Sequence, residues 1–323
     1  MISTFRVRIA TTVAALLVSL PLAGGAQAEY PDRPVRVIVP FGAGGAADSG
    51  TRFVTERVGR ILNQSFVVEN RGGGTGTIGV ETVVRAPKDG YTLLMTSFAP
   101  IAIVPHQRKT NYDPERDLVP IAQIAENIAG LAAHPSVKAN NVKELVALAK
   151  AQPGTITFSS AGVASLQHFR FAMLQKVAGM DLVHVPYKSA GDATADVLAG
   201  NVLLMAESLS FVHARSGKLK LLATYGPERH PNFPDVPTLA ESGFGAAEIP
   251  SWSAAFAPAG TPPEVIKTLN AAINQALEDK ELQARMMDAG FRAQPLSQEA
   301  MAKRVTETSE LFGRLISEMG LKE

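Results

Sequence analysis

The 323-residue sequence contains no cysteine, one tryptophan and only 6% aromatic residues. The missing cysteine excludes disulfides, thiol catalysis and iron–sulfur centres, so stability must come from packing. Net charge is nearly absent too: 31 Lys and Arg stand against 30 Asp and Glu. No basic block is interleaved with aromatics, and nucleic acid is not an expected partner. Long apolar runs are scarce. The uninterrupted stretch from Ile9 to Leu20 is shorter than the ~20 residues a bilayer-spanning helix needs. A GxSxG nucleophile elbow is missing, and the histidines show no paired spacing that would bind zinc. Neither a metal nor a cofactor is therefore expected, and an exported hydrolase or oxidoreductase is the weaker reading.

What is present starts at the N-terminus. Arg6 and Arg8 precede the apolar run, Pro21 breaks it, and Ala26-Gln27-Ala28 supplies an A-x-A cleavage site. This is the pattern of a secretory signal peptide over residues 1–28, and it predicts an exported protein beginning at Glu29. The remaining length suffices for two domains of ordinary size, each with its own core.

From Val35 short apolar strands alternate with helical stretches. "VRVIVP" is a continuous apolar run, as expected of a strand buried on both faces of a parallel sheet. A helix over roughly Ala46 to Leu62, the strand "SFVVEN", the helix "VETVVRA" and the strand "YTLLMTS" complete a βαβαβ unit. The apolar run from Leu118 to Ala133 is too long for one strand of one small domain and reads as a crossing into a second. A second α/β series follows to "LKLLATYG", and "IPSWSAAFAPAG" reads as the return. Thr261-Pro262-Pro263-Glu264 reads as a capping box opening a helix, and two more helices complete the chain with no strand between them. The expected division is 29–126 with 251–323 in one domain and 127–250 in the other. Two α/β lobes joined by two crossing strands enclose a cleft.

Ligands of open α/β sheets bind outside the carboxyl ends of the strands. At the first such end, "VIVPFGAGGAADSG" satisfies the dinucleotide fingerprint G-x-G-x-x-A. Export argues against a nicotinamide cofactor, and a second GxGxxG at Gly74 to Gly79 duplicates what a dinucleotide needs once. Asp48 would also repel a pyrophosphate. Phe41, Gly42 and Ala43 then offer backbone donors near a helix start to a smaller anion. Asp48 either complements the helix dipole or orders the loop. Ser97 and Phe98 end the third strand. In the second lobe "SSAGVASLQH" places Ser160, Ala161, Gly162, Ser165, Gln167 and His168 at a strand end and helix start. Ser165 reads as a helix cap rather than a nucleophile, and His168 as either a ligand donor or a packed histidine. Tyr187 and Lys188 follow, with Lys188 either a solvated surface residue or a cation at the cleft. Glu207 and Ser208 close the set. Hydrogen bonds to a charged group contribute about 1.5–3 kcal/mol each, so three or four approach the ~8 kcal/mol of a micromolar complex without an arginine clamp.

Taken in order, "YPDRPVRVIVPFGAGGAAD", "VVENRGGGTGTIG", "PKDGYTLL", "YDPERD", "SSAGVASLQH", "VHVPYK", "FPDVPTLAESG" and "APAGTPPEV" resemble the substrate-binding proteins of tripartite tricarboxylate transporters, the TctC-like or Bug family. The resemblance spans the mature chain. It implies a type II periplasmic binding protein of the venus-flytrap kind, monomeric, closing on a small carboxylate and delivering it to membrane permease subunits. A ligand-sensing subunit of a signalling system is the alternative. It also implies a pocket built from the loops above. Two stretches depart from the family pattern. Phe98-Ala99-Pro100-Ile101 replaces a small polar run, and Glu207-Ser208 replaces an aspartate-asparagine pair. The first departure raises the expectation of a ligand whose far end is apolar or aromatic.

Overall fold

The computed structural model describes residues 30–43, 46–187, 190–288 and 290–322. Its strands in chain order are β1 (Val35–Val39), β2 (Phe66–Asn70), β3 (Thr92–Ser97), β4 (Leu118–Asn127), β5 (Ala129–Ala133), β6 (Thr157–Ser160), β7 (Val183–Pro186), β8 (Leu204–Glu207), β9 (Lys220–Tyr225), β10 (Trp252–Pro258) and β11 (Phe291–Ala293). They form two sheets, ordered β11-β4-β10-β3-β1-β2 and β7-β6-β8-β5-β9.

In the first sheet β1 pairs in parallel with β2 and β3, and β10 runs antiparallel to both β3 and β4. Val35, Val37, Ile38 and Val39 are all fully buried, which accounts for the apolar character of β1, while Arg36 within it is partly exposed and pairs with Glu69 on β2 at 2.6 Å. The apolar run 118–133 divides between the sheets: β4 belongs to the first, β5 to the second, and Ile128 alone separates them. After β9 the chain comes back through residues 226–251 into β10 of the first sheet. The α/β two-lobe fold class expected from the sequence is thus the observed one. Among the described residues no helix is long and apolar enough to cross a membrane.

Three local expectations are corrected. A short strand, β11, lies between the second and third C-terminal helices and pairs with β4; three residues are too few to show a period. The helix Pro263–Leu277 begins one residue later than the capping box implies: Pro263 rather than Pro262 stands first, Pro262 occupies the cap and no side chain caps it. Thr261 stands one residue too early, and its hydroxyl donates to the Pro258 carbonyl at 2.8 Å. A helix at Leu209–Arg215, unforeseen in the sequence, follows β8.

The second lobe holds a large apolar core that includes Phe158, Phe171 and Leu174, and a smaller one of Ala132, Val197, Val202, Met205 and Leu219. Another lies on one face of the first sheet. A further one gathers Phe98, Trp252, Phe256 and Phe312 and also takes in Phe169 from the second series. Trp252 is fully buried, and its indole N–H donates to Thr308 Oγ1 at 3.0 Å. That one aromatic cluster draws on both series ties the lobes together beside the crossing strands.

Candidate functional site

A cavity of about 540 Å³ opens at the carboxyl ends of β1 and β3. Phe41, Gly42, Ala43 and Ser97, all expected from the sequence, are on its wall. So are Ala47, in the first turn of the helix Ala46–Ile61, and Asn127, Ser253 and Phe291. None of these side chains carries a charge. The polar groups offered are two hydroxyls, one amide and the backbone of the 41–43 loop.

The loop is held from behind. Asn70, the last residue of β2, donates from Nδ2 to the Phe41 carbonyl at 3.1 Å and to Asp48 Oδ1 at 2.9 Å. Asp48 also accepts from Arg52 Nε at 3.0 Å and is only 3% exposed. Asp48 is therefore not on the wall of this cavity; it orders the loop through Asn70. A first-turn carboxylate also suits the helix dipole.

Phe98 is the main departure. Its ring is 2% exposed, stacks on Phe312 at 5.4 Å between centroids and lies 5.9 Å from Trp252. The backbone causes this: the Phe98 N–H donates to the Trp252 carbonyl at 3.0 Å, continuing the pairing of β3 with β10. The residue after Ser97 thus faces the core, and the ligand contact expected of Phe98 is not made at this cavity.

The second-lobe residues form a cluster of their own. Ser160 Oγ lies 2.6 Å from His184 Nε2 and accepts from the Gly162 N–H at 3.1 Å. Gly162 has φ 114°, a conformation that a side chain would strain, so the turn between Ser160 and the helix requires glycine. Ala161 lies within this turn, half-buried. Ser165 caps the helix Leu166–Ala178 by accepting from the His168 N–H at 3.3 Å. His168 Nδ1 accepts from the Ala164 N–H at 3.0 Å, and its ring stacks on His184 at 4.1 Å. Burial, and then the neighbouring His184, push the His168 pKa down to about 4.

The acid limb of stability follows from that shift. The unfolded chain takes up a proton near pH 6.5, whereas folded His168 resists until about 4, so its contribution is intact above 6.5 and is lost as pH falls towards 4. After discounting for its partial exposure, this amounts to about 1–2 kcal/mol. Urea unfolding at pH 7.5 and 4.5 should show His168→Asn, which keeps an acceptor for the Ala164 N–H, losing less stability than the parent over that window. Equal losses would refute the assignment.

Gln167 hydrogen-bonds Glu207, whose burial raises its pKa to about 6 against the pull of Arg170. Ser208 packs against the turn before β11, where a Cβ added at Gly290 would stand 2.5 Å from its own. Tyr187 Oη donates to Asp196 at 2.6 Å. Lys188 lies outside the described residues. The structure therefore gathers four expected first-lobe positions on one cavity and leaves the second-lobe positions off its wall. Asn127 and Ser253 lie within the apolar crossings, Asn127 as the last residue of β4 and Ser253 near the start of β10, rather than in a glycine-rich loop. A polar residue inside each apolar crossing, "AENIAG" and "PSWSAAF", was the available signal. Phe291 carried none.

The chain matches the tripartite tricarboxylate transporter family receptor over residues 51–321. It resembles the periplasmic binding protein BugD with 32% identity and a TM-score of 0.73, covering 91% of this chain and 99% of that one. Rpa4515 of R. palustris with adipate is 27% identical with a TM-score of 0.76, over 90% and 98% of the two chains. MatC of Rhodopseudomonas palustris with bound malate is 28% identical with a TM-score of 0.72, over 89% and 100%. The chain belongs to the tripartite tricarboxylate transporter receptor family, whose members are periplasmic solute-binding receptors rather than enzymes.

Proposed function

We propose that this protein captures a small, partly apolar carboxylate in the periplasm and delivers it, as a monomer, to the membrane permease subunits of a tripartite tricarboxylate-type transporter. The lobes would be 29–126 with 251–323, and 127–250, after removal of the leader behind Ala28. The observation that carries this reading is the wall of the 540 Å³ cavity: a glycine-containing loop beside a helix start, with Ser97, Asn127 and Ser253 and no acidic side chain. Such a wall accepts an anion without repelling it and without needing a cation of its own. Two related receptors hold adipate and malate. Phe98 no longer supports an aromatic ligand, but Phe41 and Phe291 give the cavity apolar surface for the ligand's carbon skeleton. Ser160, Ala161, Gly162, Ser165, Gln167, His168, Tyr187, Lys188, Glu207 and Ser208 would complete the grip from the second lobe.

A thermal-shift screen against aliphatic and aromatic mono-, di- and tricarboxylates tests this. A specific carboxylate at a thousand times its dissociation constant should add about 4 kcal/mol of stability. Stabilisation by NAD and by no carboxylate would overturn the reading.

A further inference from the structure

A second cavity, of about 350 Å³, lies against both crossings. Residues 126–128 and 248–251 border it, with Arg170 contributed by the helix Leu166–Ala178 and Arg304 by the helix Gln298–Glu318. Asn127 is on the wall of both cavities, so they flank the same crossing segment.

Arg170 is the unusual member. Its side chain is buried, with 3% of the residue exposed, and among the described residues it forms no ion pair. Nη1 donates to the Ala206 carbonyl at 3.0 Å, the guanidinium lies 5.0 Å from the centre of the Tyr225 ring, and Nε is buried with no hydrogen-bond partner. A buried charge is costly unless paired and hydrogen-bonded. Glu248 and Glu207 lie near enough for their charges to act on Arg170, but neither forms an ion pair with it, and burial raises the pKa of both. Glu126 is paired with Arg304, and Glu248 accepts from the Gly226 N–H at 3.1 Å while burial raises its pKa. Ser251 Oγ is likewise buried without a partner on this wall. Much of the remaining lining is apolar: Ile128, Pro227, Ile249 and Pro250.

We propose that this cavity is a second small-molecule site that takes an aliphatic monocarboxylate, with its carboxylate on Arg170 Nε and Ser251 Oγ and its tail along Ile249 and Pro250. Asn127 Oδ1, also unpartnered, is an acceptor for a hydroxyl on the same ligand. Because the wall draws on both lobes and both crossings, an occupant holds their relative angle, and binding here is coupled to binding at the first cavity.

Hexanoate is the probe and 1-hexanol its uncharged control, read by thermal shift and calorimetry on the purified protein. Three variants separate the sites. Arg170→Met removes the buried charge while keeping an unbranched side chain, and urea unfolding of the variant verifies that it is folded before binding is read. Ala240→Trp blocks the rim, where Ala240 is exposed. Gly42→Trp obstructs the first cavity. Hexanoate should shift the melting temperature of the parent and of Gly42→Trp, with affinity falling about tenfold or more in Arg170→Met and Ala240→Trp, the share of a charged hydrogen bond. Hexanol should cause no comparable shift. Absence of binding to the parent, or full retention in Arg170→Met, would overturn the proposal.

Discussion

Phe98→Ser should lower stability by about 3–5 kcal/mol, the range for emptying a large aromatic site in a core. The ring stacks on Phe312, lies near Trp252 and belongs to the cluster that includes Phe169, so its removal leaves a void where the two lobes meet. Serine adds a hydroxyl with no partner assured, and a buried unsatisfied polar group costs a further increment. Native domains are stable by only ~5–15 kcal/mol, so the loss is a large part of the whole. Urea denaturation measures it directly. Every carboxylate should then bind more weakly in proportion to the unfolded fraction. A variant that kept its unfolding midpoint and lost only aromatic carboxylates would restore Phe98 to the ligand site.

Gly42→Trp should do the opposite, weakening binding and leaving the fold intact. Gly42 is exposed, lacks a positive φ, and a Cβ added there meets nothing within 4 Å. Surface substitutions of this kind usually stay within about 0.5 kcal/mol. The indole, however, projects from the wall of the 540 Å³ cavity and competes with any ligand for its space. Affinity for the ligand found in the carboxylate screen should fall roughly a hundredfold or more, about 2.7 kcal/mol. Calorimetry of parent and variant decides it: unchanged affinity would move the ligand away from the 41–43 loop.

The pair of variants separates two residues that the sequence presents alike, each in the loop after a parallel strand. Gly42 follows β1, where the chain turns away beside a helix start. Phe98 follows β3, and β3 is held from Leu94 to Ser97 by β10, which returns from 155 residues later in the chain. The N–H of Phe98 continues that ladder to Trp252. Which face a side chain takes at a strand end depends on the register of the neighbouring strand, and register with a distant partner is not written locally.

The same logic covers Asp48 and the second-lobe cluster. A carboxylate in the first turn was legible as a helix feature, but its link to the loop runs through Asn70 at the end of β2, a contact made only when β1 and β2 lie side by side. The stacking of His168 on His184 joins a helix start to the adjacent strand β7. Ser160, which closes the cluster, was placed correctly at a strand end, but its partner was not.

By itself the sequence determined the α/β class, the order of most strands and helices, the splitting of the 118–133 run and the family, because hydrophobic period, turn residues and ordered motifs are local properties of the chain. The tertiary structure alone decided which strand-end residues share a cavity, that Asn127, Ser253 and Phe291 join them, that Phe98 serves the core, and that Arg170 is buried without an ion pair beside the crossings. Those outcomes depend on the register and packing of segments far apart in sequence, and the chain has no such geometry until both sheets have formed.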